Sequence, residues 1–155
     1  MAEELGITLT AVSTTASVIK TIDSLIRGTR GRKRALLLEL RHNIGVINLY
    51  IEGDSPIDSV IAKIEIEQLK AALESNFDFG SLKRSKVRKR TAGKTPLYQR
   101  YIGWTTEKLY SSIYLRIKEL KTIVEIDTYN KQYRKSVRLL NIRKLMILLL
   151  KHIGS

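Results

Sequence analysis

The sequence predicts an all-α protein, an antiparallel helical bundle of four to five helices with a long basic loop between helices 3 and 4. Three observations lead there. Apolar side chains recur at steps of three and four through five separate stretches, the period of a helix with one buried face. Only two prolines and few turn-forming clusters interrupt those stretches. Apolar residues make up 43% of the chain and charged residues 28%, and 155 residues are enough for one domain with a real core, taken as residues 1–155.

The first helix is expected over about 7–27, with Leu9, Val12, Ala16, Ile19, Ile22 and Ile26 on its inner face and Ser and Thr opposite. Serine and threonine are mediocre helix formers, so packing must hold it. Gly28 suits its end. The second helix, about 32–52, follows a bundle-seam rhythm through Leu37, Leu40, Ile44, Ile47 and Ile51, widened by Leu36 and Leu38. The third starts with Ser55 as cap and Pro56 at the first helical position, and runs to near Asn76. Residues 78–95 read as the basic loop, a connection long enough to be functional or disordered. Thr95-Pro96 opens a fourth helix, about 96–126, which Gly103 bends or weakens near its start. A break at Asp127-Thr-Tyr-Asn130 precedes the fifth, about 130–152. There Leu145–Leu150 is apolar on every side, so it is central in the bundle or covered by another subunit.

The net charge of +13 is distributed unevenly. Residues 1–77 hold nine basic and ten acidic side chains, and residues 128–155 hold seven basic and none acidic. Between Phe79 and Thr106 stand eight cations and no acid: Lys83, Arg84, Lys86, Arg88, Lys89, Arg90, Lys94 and Arg100. A second cluster, Arg27, Arg30, Arg32, Lys33 and Arg34, fills the turn between the first two helices. If the chain runs up and down five times, both clusters fall at one pole, opposite the acidic turns at 52–58 and 125–130. Grouped like charges repel, so such a pole is stabilised when phosphates or carboxylates approach.

Catalytic patterns are weak. Glu39-x-x-His42 has the spacing of a metal-binding pair, yet His152 has Leu149 where a second pair needs a carboxylate. Gly93-Lys94-Thr95 ends like a phosphate-binding loop, but Arg88 occupies the position of its first glycine and no strand precedes it. Without cysteine there is no disulfide, thiolate nucleophile or cysteine-based zinc site. No catalytic set, metal or cofactor is expected. The longest apolar run is far shorter than a membrane span, and Glu3 and Glu4 are unlike the basic start of a secretory signal, so a cytoplasmic protein is expected.

The positive signal is Arg and Lys interleaved with aromatics, as where Arg100 is flanked by Tyr98, Tyr101 and Trp104. Cations neutralise phosphates and exposed rings stack on unpaired bases. The expected function is a non-catalytic accessory protein that grips the phosphate backbone of RNA or DNA, or another polyanion, with little sequence preference. Its binding residues would be Arg30, Arg32, Lys33, Arg34, Lys83, Arg84, Lys86, Arg88, Lys89, Arg90, Lys94, Arg100 and Tyr101. The alternative is an oligomeric adaptor, a homo-oligomer or one subunit of a larger complex, joined through the wide apolar faces of helices 2 and 5. A membrane-acting first helix is disfavoured by its Ser/Thr-rich polar face.

Overall fold

A computed structural model describes residues 16–126 and 132–155, which contain eight α-helices and no strand. The all-α expectation holds, but two of the five expected helices are each divided.

The first helix, α1 (16–27), buries Val18, Ile22 and Ile26. Ala16 is exposed and Ile19 half-buried, so the inner face is rotated from the expected line; Leu9 and Val12 lie outside the described residues. The carbonyl of Ile26 ends α1 by accepting from the Thr29 backbone, the Thr29 hydroxyl and Arg34. An ion pair between Asp23 and Arg41, 2.6 Å long and on the surface, joins α1 to α2 (Gly31–Glu52).

The seam of α2 buries Leu37, Leu40, Ile44 and Ile47 as expected, joined by Leu36. Leu38 does not widen that face: it is 45% exposed. The same helix buries three polar side chains, Glu39, Asn43 and Asn48, and these position much of the rest.

The expected third helix is two helices, α3 (Ile57–Ala62) and α4 (Glu67–Glu74). The break at 63–66 is held from α2. The Asn43 amide donates to the Glu65 carbonyl at 2.7 Å, and its oxygen accepts from the Glu65 N–H at 2.8 Å. Two residues beyond the break, the Glu39 carboxylate accepts from the N–H groups of Gln68 (2.7 Å) and Leu69 (3.0 Å). These are orphan donors of the first turn of α4, so α4 is capped by a different helix rather than by its own N-cap residue. Ser55 makes no cap either; Pro56 is the N-cap residue of α3.

The expected basic loop is not a plain connection. It contains a 3-10 turn at Phe79–Ser81 and a short helix, α5 (Lys89–Ala92), and it buries Phe79, Val87 and Ala92. The expected fourth helix is also divided, into α6 (Pro96–Gln99) and α7 (Thr106–Ile126). Gly103, at φ +86°, does more than bend it: its left-handed backbone ends the helical path.

The last helix, α8 (Gln132–Ile153), packs along α7. Thr106 meets His152, and Glu119 meets Arg138, so the two helices run in opposite directions. The far end of α2 reaches α8 through Tyr50 to Ser136 and Asn48 to Arg143, while α3 and α4 each lie against α2 and α7. Every residue of Leu145–Leu150 is buried within the single chain, so the apolar run is central and needs no second subunit to cover it. Val137 is 39% exposed, and Leu139, Ile142 and Met146 take the inner face. The Asp127–Asn130 break, and with it the greater part of the expected acidic turn at 125–130, lies outside the described residues.

Candidate nucleic-acid interface

The basic segment is built on four buried anchors. The Phe79 ring packs on Phe77 edge-on and on Tyr110 at a tilt, both at 5.2 Å. Val87 exchanges two backbone hydrogen bonds with the turn after α6: its N–H donates to the Trp104 carbonyl (2.9 Å), and Gly103 N–H donates to the Val87 carbonyl (2.8 Å). Ala92 sits in α5, which packs on α6 and α8. Tyr98 is buried, with the Lys151 ammonium 5.7 Å from its ring centre. The Gln99 side-chain amide ties α6 back to the Gly93 carbonyl at 2.6 Å, where Gly93 leaves α5 at φ +60°.

With the small apolar residues turned inward, the cations turn outward. Lys86, Arg88, Lys89, Arg90, Lys94 and Arg100 are exposed, and none has an ion-pair partner among the described residues. Arg84 pairs with Asp78 at 3.4 Å, a surface contact of little energetic weight. Lys83 is half-buried; its ammonium donates to the backbone oxygen of Ser155 and its carbonyl accepts from Thr106. It serves as a strut as much as a free charge.

Tyr101 departs from the expectation. Its ring is 2% exposed and packs edge-on against Trp104 at 4.8 Å, and its hydroxyl accepts from Arg116 at 3.2 Å. No face is open to stack on a base. Trp104 is half-buried, with the Lys108 ammonium 4.7 Å above it. Tyr98 is buried and Trp104 half-buried, so both rings pack into the fold.

In the other cluster, Arg30, Arg32 and Arg34 are exposed and Lys33 is half-buried. Arg34 is spent partly on capping α1. Among the described residues no hydrogen bond or ion pair joins this turn to residues 83–100. The first turn of α2 holds no acidic residue and no side-chain cap, so its cations face the positive end of their own helix.

Three cations beside the segment escaped the sequence reading. Lys108 was findable, standing one helical turn beyond Trp104. Lys151 and Arg116 were not, because long-range packing brings them to Tyr98 and Tyr101.

Burial dominates the titrations. It pushes the Tyr98 hydroxyl up to about 12 despite Arg143, and it lowers Arg143 despite Tyr98 and Glu52. Burial also raises Glu39, over the opposing pull of its two backbone donors, and raises Tyr110. His152 is lowered by burial and then by Lys83.

The Glu39 and His42 pair does separate work. Glu39 caps α4, while His42 Nε2 lies 3.1 Å from the Lys63 carbonyl and 3.6 Å from the Glu65 carboxylate. The described residues contain no group of three acidic or histidine side chains able to hold a metal ion, and no described helix is long and apolar enough to cross a membrane. Neither a family model, nor a curated protein, nor a solved structure matches the chain.

Proposed function

We propose that the protein is a non-catalytic accessory factor that binds the phosphate backbone of RNA or DNA with little sequence preference. The observation that carries this is the set of six exposed cations without acidic partners, at 86, 88, 89, 90, 94 and 100. They stand on a segment anchored by Phe79, Val87, Ala92 and Tyr98. A segment already ordered loses less conformational entropy when it docks. Backbone binding needs cations and no base contact, so low sequence preference follows. Arg30 and Arg32 would extend the same surface if an antiparallel arrangement sets the first turn beside the basic segment.

The test is a titration against nucleic acid at two salt concentrations. Six phosphate contacts would lower affinity about a thousandfold between roughly 50 and 200 mM salt. Salt-independent binding, or none, rejects the reading.

A second reading is an oligomeric helical adaptor. Its specific support is the exposure of Leu38 and Leu49 on α2 and of Leu115 and Ile126 on α7. Light scattering that finds an oligomer, with no retention on nucleic acid, would favour it.

A further inference from the structure

Between α7 and α8 lies a cleft of about 320 Å³ lined by Arg116, Glu119, Arg138, Asn141 and Ile142. That volume falls within the range of small-ligand sites, on the order of 300–1,000 Å³. Its accessible walls are mostly polar, since Ile142, the one apolar residue of the lining, is buried in the core. One wall is the Asn141 amide, which has no hydrogen-bond partner among the described residues and offers both donors and an acceptor.

The rim carries two guanidinium groups in different states. Arg116 is held in place by Ser112 Oγ (3.3 Å) and by the Tyr101 hydroxyl (3.2 Å). Among the described residues Arg138 is tied only to Glu119, at 2.8 Å in a pair exposed on both sides. Such pairs contribute little, so Arg138 can turn to another partner at small cost. Through Tyr101 the cleft adjoins the segment that carries Arg100.

We infer that this cleft receives one unpaired nucleobase of a single strand, with the neighbouring phosphate held by Arg116. The inference rests on the nucleic-acid reading above and narrows it to single strands. The Arg138 guanidinium, loosely held by Glu119 at the exposed rim, can lay its plane on one face of the base. Asn141 meets the polar edge of the base, an edge a duplex keeps occupied by pairing. Because an amide can turn to present either donor or acceptor, the site tolerates all four bases.

The experiment is fluorescence anisotropy with the full chain and three labelled ligands at one salt concentration: a short single strand, its duplex, and an abasic strand of equal length. The base-bearing single strand should bind about tenfold more tightly than the abasic strand, a difference about the size of one well-made polar contact. The Asn141→Leu variant should erase that difference while leaving abasic affinity unchanged. The comparison within the native chain needs no variant, so it stands even if Asn141→Leu folds poorly. Equal binding of the base-bearing and abasic strands overturns the inference and leaves the backbone reading intact. Duplex binding as tight as single-strand binding overturns it as well. Binding of none of the three ligands overturns both.

Discussion

Asn43 holds Glu65 by both backbone groups, donating to its carbonyl at 2.7 Å and accepting from its N–H at 2.8 Å. A side-chain amide here satisfies a stretch of chain that helix hydrogen bonding has abandoned. Replacing Asn43 with Ala should destabilise the protein by about 2 kcal/mol, since it leaves two polar groups unpaired beside the core. The melting temperature should drop by about 4–8 °C, against almost no change for Leu38→Ala at an exposed position of the same helix. Thermal denaturation followed by circular dichroism checks both.

The Tyr110 hydroxyl is fully buried and has no hydrogen-bond partner among the described residues. The folded state therefore bears its desolvation without return. Tyr110→Phe keeps the ring contact with Phe79 and should leave stability unchanged or raise it by up to about 1 kcal/mol. A clear loss in urea denaturation would show that the hydroxyl has a partner after all.

His152 is buried against Thr106, whose hydroxyl donates to the Lys83 carbonyl and so accepts from Nε2–H. Burial, and then Lys83, depress its pKa below 6.5. Between the folded value and 6.5 the unfolded chain binds more protons. This contribution to stability is therefore present above pH 6.5 and lost as pH falls through the folded value. His152→Gln, whose amide can still donate to Thr106, should show a shallower acid decline when melting temperatures are compared across that window.

The quadruple variant Lys86→Ala, Arg88→Ala, Lys89→Ala and Arg90→Ala should weaken nucleic-acid binding uniformly across sequences and reduce the salt slope by about three. Its melting temperature should stay near the native value, because these side chains are exposed and have no ion-pair partner among the described residues. Loss of binding without any change in slope would mean that the four charges do not touch phosphate.

The seam of α2 was legible because Leu37, Leu40, Ile44 and Ile47 repeat with helical period, and so was the run at 145–150. The division of the third helix was not, because its cause lies 22 residues away in the Asn43 side chain and 29 residues away in that of Glu39. The Glu39-x-x-His42 spacing drew notice as a metal pattern, whereas two backbone donors in the first turn of α4 explain the glutamate. In the candidate site the exposed cations were readable from composition alone. The burial of Tyr101 was not, because it follows from contacts with Trp104 and Arg116.

By itself the sequence determined the helical class, the main apolar faces and the lopsided charge. Each depends on residue type and local spacing, which a linear pattern records in full. Tertiary structure alone decided where helices stop, which aromatic rings are open and which arginines line the α7–α8 cleft. Those outcomes depend on buried polar groups finding partners, and the partners are neighbours in space and strangers along the chain.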